Sequence, residues 1–296
     1  YVVYSAQPSL RQADCRHMAV LPGLSASGHV LLGRSYRFDD TMDDLQLCTT
    51  HVAGKYAHVG FSLLLLGRLD GLNEHGLAVA MSAGVLPVGT APGLRPPIQD
   101  GLQFWALIRT VLETCCTVDE ALDWIERVPC AGNPILIVAD RDGHAALVEI
   151  FGPHQAVRRI DGDSSEGYVC AANHYTMPET RQQDPKIATH SYVRQTTIET
   201  RLAGAAPEVT PETIKGILYD PYPKGVCCHY YGQGFGTLHS MVFDLTAGQM
   251  EVCFGSPAVN GWHRFDLTRS AAAGHYPVTL PQEHAEGPFW APARQV

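Results

Sequence analysis

The chain has 296 residues, of which 45% are hydrophobic and 17% are charged, and its formal net charge at pH 7 is −9. This balance is typical of a soluble globular enzyme, and the length allows one domain of layered sheets with a large core. Basic residues form only isolated pairs such as Arg158-Arg159, so binding to nucleic acid is not expected. A small molecule or a peptide is the expected partner.

The nine cysteines form an odd set, and several of them lie in apolar runs, where buried free thiols are common. We therefore expect a reduced, cytoplasmic setting. The sequence shows no basic segment followed by a signal-peptide core, and no apolar stretch of about 18 residues. Neither a signal peptide nor a transmembrane helix is expected, and we expect no membrane partner.

The first half of the chain alternates between strand-like and helix-like patterns. Apolar runs predict three strands, over 29–38, 58–69 and 76–84. The segment DGLNEHG between the last two is rich in turn formers, so these two strands are predicted to form a hairpin. Apolar residues at helical spacing then predict a helix over 96–115. Thr117 and Glu120 match a capping box, which places the start of a second helix at about Val118.

The second half repeats this order of strands, helices and strands. Asp-Gly and TAGQ turns predict hairpins over 134–152 and 236–257, and a further strand is predicted over 167–175. Helices are predicted over 191–204 and 210–220, the second with Thr210 as its cap. Hairpins joined through helical pairs predict an α+β fold, in which antiparallel sheets pack together with helices outside.

Two pairs of cysteine and histidine invite a thiol-enzyme interpretation. Cys48 lies three residues before His51, and Cys228 is followed directly by His229. Catalytic cysteine and histidine are normally brought together by the fold rather than by sequence proximity, so both pairs stay open as alternatives. The adjacent cysteines of VCCH lack the C-x-x-C spacing of a zinc site, and no metal is expected.

Taken together, Cys15 and four later motifs resemble the N-terminal-nucleophile (Ntn) hydrolases. The motifs are GHVLLGRSY, GLNEHGLAVA, VCAANHY and GTLHSMVFDLTAGQMEVCFGSP, and their order and spacing extend over residues 15–267. The resemblance is to the acyl-coenzyme A:isopenicillin N acyltransferase family, relatives of penicillin V acylase and bile salt hydrolase. It implies a four-layer αββα sandwich, with 15–296 as one catalytic domain and 1–14 as the end of a pro-segment or α-chain tail.

The resemblance also implies a mechanism. In this family a precursor cleaves itself before a cysteine, which then acts as nucleophile while its α-amino group, with a pKa of about 7.7–8.0, serves as the base. Cys15 matches that cysteine and would form a thioester with the acyl group. Arg34 matches the arginine that favours the thiolate, and Asn173 matches the asparagine that donates to the oxyanion. The implied substrate is a linear amide or thioester, without a cofactor.

The chain departs from the family pattern after Arg34. Where relatives have an asparagine and then an aspartate that positions the nucleophile, this chain has Ser35 and Arg37. Asp39 would share a strand face with residue 37 and is the expected substitute. The second oxyanion donor falls near Ser82, whose hydroxyl or a neighbouring main-chain N–H would serve.

Two further departures bear on processing and on the substrate. Asp14 takes the place of the glycine that usually precedes the cysteine, although we still expect the bond before Cys15 to be cut. Cys228 aligns with an arginine of the family and cannot hold a carboxylate, so the penicillin nucleus is not the expected substrate. His229 is a weaker candidate for holding a substrate carboxylate.

Aromatic residues flank the expected site and favour a hydrophobic or aryl acyl group. Tyr36, Phe38 and Tyr175 are the expected substrate-binding side chains. The first hypothesis is a cysteine amidohydrolase or acyltransferase acting through Cys15. The alternatives are an altered member of the fold that only binds an acyl ligand, and a thiol hydrolase using Cys48 or the Cys228-His229 pair. Association of the cleaved N-terminal segment and a homo-oligomer are both compatible with the resemblance.

Overall fold

The computed structural model describes residues 15–41, 46–84, 88, 96–162, 166–185, 187–223, 225–266 and 273–284. In chain order, strands β1 to β15 are Arg16–Val20, Leu31–Phe38, Leu47–Thr50, His58–Leu63, Gly67–Arg68, Asp70–Asn73, Ala78–Ala83, Pro134–Ala139, Ala145–Phe151, His154–Ile160, Tyr168–Ala171, His229–Tyr230, Phe235–Asp244, Gln249–Phe254 and Trp262–Asp266. Helices α1 to α5 are Phe104–Thr114, Val118–Arg127, Pro178–Arg181, Thr189–Ala205 and Pro211–Tyr219.

The described strands form two antiparallel sheets. The first sheet has seven strands, in the order β11-β1-β2-β13-β14-β15 with β12 paired to β13. The second has eight, in the order β10-β9-β8-β7-β6-β4-β3 with β5 paired to β4. All strand pairs follow an antiparallel register, as the predicted hairpins require.

Three apolar layers hold the sheets and helices together. On β1, Met18 and Val20 face helices α4 and α5, whereas Cys15 and Ala19 face the core between the two sheets. Helices α1 and α2 cover the outer face of the second sheet. The layer order is therefore helix, sheet, sheet, helix, which confirms the predicted αββα sandwich.

The predicted helix starts are confirmed where a side chain caps the helix. The Thr117 hydroxyl accepts a hydrogen bond from the Glu120 N–H, and the Thr210 hydroxyl accepts one from the Thr213 N–H. Helix α1 begins at Phe104 rather than at residue 96. Two prolines and a glycine precede it, and they disfavour a longer helix.

The predicted single strand over 58–69 is wrong. Strand β4 ends at Leu63, and the chain reverses through Leu64 and Leu65, whose φ angles are 54° and 63°. The DGLN part of the expected turn is strand β6, which is buried and pairs with both β4 and β7. The turn itself comes later, at Gly76 with φ of 83°. Asp70 therefore begins a core strand instead of a loop.

A glycine permits this arrangement. A side chain at Gly60 on β4 would overlap the backbone carbonyl of Asp70. Since the obstacle is backbone rather than a flexible side chain, only glycine allows the two strands to approach so closely. This close approach brings the start of β6 into the layer between the sheets.

Several short strands have no clear signal in the sequence. Among them, β10 lies at an edge of the second sheet and carries exposed arginines, so its alternation of apolar residues is weak. Strand β15 is the corresponding edge of the first sheet. Within the described residues, no helix has both the length and the apolar character needed to cross a membrane.

Candidate active site

Cys15 lies directly before β1, and its side chain has no exposed surface. Strand β1 lies between β11 and β2, with His17 opposite Ala171 on one side and opposite Arg34 on the other. If the two antiparallel registers are continued from His17 back to Cys15, then Cys15 lies opposite Asn173 on the side of β11 and opposite Tyr36 on the side of β2. The fold thus brings the segments of the predicted catalytic residues together at one end of the first sheet.

Arg34 is fully buried, and its guanidinium connects the thiol to a carboxylate. Its Nε donates to Asp70 Oδ2 at 2.9 Å and its Nη1 donates to the Ser35 carbonyl at 2.9 Å. Burial opposes the charge, but the nearby Cys15 sulfur and the Asp70 carboxylate outweigh it and raise the pKa of Arg34. Arg34 therefore places a permanent positive charge beside the Cys15 sulfur.

Asp70 is the carboxylate that supports Arg34. It is completely buried, and its Oδ1 accepts from the Phe61 N–H at 3.1 Å. Burial disfavours the ionised form, but hydrogen bonding to His239 and the charge of Arg34 more than compensate and lower the pKa of Asp70. Asp70 is therefore ionised at neutral pH and fixes the orientation of the guanidinium.

His239 on β13 completes this set of side chains. Its Nε2 lies 3.3 Å from Asp70 Oδ2, and because an ionised carboxylate only accepts, Nε2 carries the hydrogen. The ring stacks between Phe61, at 3.6 Å between centroids, and Tyr36, at 5.0 Å. Burial is the main cause of the lowered pKa of His239, so the imidazole is neutral and acts as a hydrogen-bond donor.

A second neutral histidine lies on β1, the strand that follows Cys15. His17 follows Cys15 by two residues, on the same face of β1, and has no exposed surface. Burial, and then the positive charge of Arg34, hold the pKa of His17 well below its usual value. At neutral pH the Arg34 side chain is therefore positively charged, whereas the neighbouring His17 side chain is neutral.

Hydrogen bonds to the second sheet and to helix α4 hold the segment of Asn173. The Asn173 Nδ2 donates to the Ala83 carbonyl at 2.8 Å, and the Asn173 N–H donates to Ser191 Oγ at 2.9 Å. Ser82 Oγ donates to the carbonyl of Ala172. The hydroxyl hydrogen of Ser82, expected to serve the oxyanion, therefore positions the residue before Asn173 instead.

The other predicted side chains have different surroundings. Strand β2 ends at Phe38, and Asp39 accepts hydrogen bonds from the backbone and hydroxyl of exposed Thr41. The carboxylate that contacts Arg34 is Asp70, the first residue of β6 in the facing sheet. Tyr36 and Phe38 are stacked in the layer between the sheets, and the Tyr175 hydroxyl donates to the Ile150 carbonyl at 2.8 Å.

The predicted Cys228-His229 pair is wrong. The thiol within reach of His229 is Cys227, with Sγ at 3.5 Å from Nε2. The Cys228 thiol donates instead to the Phe235 carbonyl at 3.4 Å. Side chains alternate along an extended chain, so residues 227 and 229 share a face and residue 228 points away.

The other cysteine alternative lies on the second sheet. Cys48 is on edge strand β3, and His51 follows that strand with an exposed side chain. Among the described residues, no hydrogen bond or ion pair joins these two side chains. This location separates Cys48 from the strand that carries Cys15.

Sequence reasoning missed Asp70 and His239. Asp70 begins a segment that the sequence predicts as a turn, because Asp-Gly favours turns. His239 lies in an apolar strand without any motif of its own. The available signal was a polar side chain on the inner face of a buried strand, since such a group needs a partner. That signal indicates a site but does not identify the partner.

A comparison of the sequence with models of known protein families identifies the family of this chain. The family model described as acyl-coenzyme A:6-aminopenicillanic acid acyl-transferase matches residues 25–259. The chain belongs to this family. The matched region contains Arg34, Asp70, Asn173 and His239, and Cys15 lies ten residues before it. The predicted resemblance is thereby confirmed at the level of the family, one of acyltransferases and amide hydrolases.

Solved structures show the same fold as this acyl-transferase family member. Two variants of conjugated bile acid hydrolase from Clostridium perfringens are 10% and 11% identical, with TM-scores of 0.61 and 0.55. Each similarity covers 92% of this chain, and 100% and 99% of the respective hydrolase chain.

Penicillin V acylase from Agrobacterium tumefaciens is 18% identical, with a TM-score of 0.54, over 86% of this chain and 87% of that chain. At such identities the similarity establishes the Ntn-hydrolase fold. No curated protein matches the sequence.

Proposed function

We propose that this family member is a cysteine-nucleophile amidohydrolase or acyltransferase that forms a thioester at Cys15. The observation that carries the proposal is the buried group in which the Arg34 guanidinium lies between the Cys15 thiol and the Asp70 carboxylate. Such a group favours a thiolate in a region without exposed surface. Family membership supports an acyl amide or acyl thioester as substrate.

The active form is proposed to arise by self-cleavage between Asp14 and Cys15. In the continuous chain the nitrogen of Cys15 belongs to a peptide bond, and an amide nitrogen is not basic. Cleavage would turn it into an α-amino group with a pKa of about 7.7–8.0, which takes the thiol proton at neutral pH.

The proposed acyl transfer uses the Cys15 thiol and the side chain of Asn173. The Cys15 sulfur attacks the acyl carbon, and the oxyanion that forms is stabilised by the side-chain amide of Asn173. The α-ammonium group returns its proton to the departing amine or thiolate, leaving a thioester on Cys15. Water or an acceptor amine attacks this thioester and regenerates the thiol.

The stacked rings favour a hydrophobic or aryl acyl group. Tyr36 and Phe38 face the layer between the sheets, in line with His239 and Phe61. An apolar acyl group would pack against these rings. Tyr175, two residues after Asn173, is the third proposed substrate-binding side chain. A protein of the same fold that only binds an acyl ligand would show the ligand without a covalent adduct.

Mass analysis of the purified chain tests this proposal. After incubation with an acyl thioester or an aryl amide, we expect a mass increase equal to the acyl group, mapped to Cys15. Amino-terminal sequencing of active protein is expected to start at Cys15. Active material with Tyr1 as its single amino terminus would contradict self-cleavage, and noncovalent ligand binding without an adduct would contradict the thioester mechanism.

Replacing Asn173 with alanine is expected to lower kcat by about 10²–10³-fold, because one oxyanion donor is lost. KM should change far less, since the donor acts mainly in the transition state. Steady-state kinetics on one amide substrate measure both constants. Asn133→Ala is the matched control, because Asn133 is another buried amide that donates to the end of β7, through the Gly84 carbonyl. An equal loss in both variants would indicate a structural effect.

A further inference from the structure

A second group of polar side chains lies outside the proposed mechanism. Cys227 lies two residues before His229, which begins β12, and Ser256 follows β14. Glu283 belongs to the segment 273–284, which pairs with β12. We call these four residues the Cys227 cluster. The Glu283 N–H also donates to the His229 carbonyl at 3.0 Å, so the cluster joins three separate parts of the chain.

The contacts follow the order carboxylate, imidazole, thiol. Glu283 Oε1 lies 3.0 Å from His229 Nδ1, and Cys227 Sγ lies 3.5 Å from His229 Nε2. Ser256 Oγ bridges the other two groups, at 2.6 Å from Nε2 and 2.9 Å from Sγ. A base that contacts a thiol and is itself oriented by a carboxylate is the arrangement that activates a cysteine.

The charges in the cluster agree with this geometry. The hydrogen bond to Cys227 contributes most to raising the pKa of His229 to about 9, and Glu283 adds to it against the effect of burial. Burial opposes ionisation of Cys227, but hydrogen bonds from His229 and Ser256 outweigh it and lower the pKa of that thiol. Both shifts therefore favour the thiolate paired with an imidazolium over the neutral thiol and imidazole.

Other buried thiols of this chain provide a contrast. Cys170 is 2% exposed and Cys227 is 1% exposed, so the two are equally shielded. The neighbour of Cys170 is the Glu199 carboxylate at 3.8 Å, and burial together with that negative charge raises the pKa of Cys170. Burial also raises the pKa of Cys253, to about 12. These thiols stay protonated and unreactive.

Access decides which reagent Cys227 can meet. Only 1% of the surface of Cys227 is exposed, so an acyl amide cannot reach its sulfur. Hydrogen peroxide has only two heavy atoms and needs a much smaller opening. Glu283, with 56% of its side chain exposed, lies on the solvent side of His229. We propose that Cys227 is a peroxide-reactive thiol, separate from Cys15, which hydrogen peroxide converts to a sulfenic acid.

The proposed step balances in atoms and electrons. The thiolate sulfur attacks one oxygen of hydrogen peroxide, so that an S–O bond forms while the O–O bond breaks. Sulfur loses two electrons and the peroxide gains them. The departing hydroxide takes the proton of the His229 imidazolium, giving water and a neutral imidazole.

Sulfenic acid trapping in the full chain tests the proposal. The folded protein is treated with a small excess of hydrogen peroxide for timed intervals, the peroxide is removed with catalase, and the chain is then unfolded in denaturant that contains dimedone, so that the label reaches a buried sulfenic acid. Fragment-ion mass spectrometry assigns each adduct, which distinguishes Cys227 from Cys228. We expect labelling at Cys227 to be at least about tenfold faster than at Cys170, because only the former is stabilised as a thiolate. Equal rates at these two thiols would overturn the proposal.

A variant separates activation by the cluster from simple exposure. Glu283→Gln changes an exposed side chain, keeps a hydrogen-bond acceptor and removes the charge that stabilises the imidazolium. We expect it to slow labelling of Cys227 about threefold or more while Cys170 is unaffected. An unchanged rate at Cys227 would refute the role of the cluster. Adducts at Cys15 are assigned separately, so the result does not depend on the proposed acyl transfer.

Discussion

Replacing Cys15 with serine is expected to abolish both self-cleavage and acyl transfer, with a loss of activity of about 10⁴-fold or more. The hydroxyl has nearly the size of the thiol but gives up its proton far less readily, so neither the α-amino group nor Arg34 can generate the nucleophile. In the purified variant the peptide bond between residues 14 and 15 should remain intact, which intact-mass analysis detects. Its activity is measured with the same acyl substrate as the wild type.

Cys170→Ser is the matched control for this substitution. Cys170 is a buried thiol on the neighbouring strand β11, but it faces helix α4 and the outer core rather than the layer between the sheets. The same change of sulfur to oxygen there should leave cleavage and acyl transfer intact. If Cys15→Ser were processed and active, or if both variants lost activity equally, the assignment of Cys15 as nucleophile would fail.

Replacing Asp70 with asparagine is expected to cost about 3–5 kcal/mol of unfolding free energy. The substitution leaves the fully buried Arg34 without its charged partner and weakens the hydrogen bonds from His239 and Phe61. Urea denaturation measures this loss as a lower midpoint. Activity should fall as well, because the guanidinium that stabilises the Cys15 thiolate would lose its fixed orientation.

Asp39→Asn provides the comparison for the Asp70 variant, since Asp39 belongs to an exposed turn at the end of β2. It should change the unfolding free energy by less than about 0.5 kcal/mol. A double variant with Arg34→Gln and Asp70→Asn should lose less than the sum of the two single losses, because no uncompensated buried charge remains. Additive losses would show that the two side chains do not interact.

The Asp70 ion pair also predicts a dependence on pH. The folded protein lowers the pKa of Asp70 below its ordinary value of about 3.9. Its contribution to stability is therefore fully present above the unfolded pKa and is lost as the pH falls through the folded pKa. Compared with the Asp70→Asn variant, the wild type should lose stability more steeply below about pH 4. Parallel curves of unfolding free energy would contradict this.

Local patterns in the sequence were sufficient for much of the fold. Helical periodicity together with Thr117 and Thr210 predicted α2 and α5, and turn chemistry predicted the hairpins that end in β9 and β14. These features depend on residues only a few positions apart, so their physical causes are contained in short segments. The hairpins and helical pairs predicted antiparallel sheets with helices outside, and the resemblance to the family implied the four-layer αββα order.

The tertiary structure alone determined which polar side chains meet. The partners of Asp70 are 36 and 169 residues away, and Glu283 contacts a histidine 54 residues earlier. Such pairs depend on strand register and on how the two sheets face each other, which no local spacing specifies. The sequence by itself determined the layers and the candidate nucleophile. Alternation of side chains along the extended chain placed Cys227 rather than Cys228 against His229. Burial selected Asp70 over Asp39, because an enclosed charge is stabilised only by a partner on the same inner face.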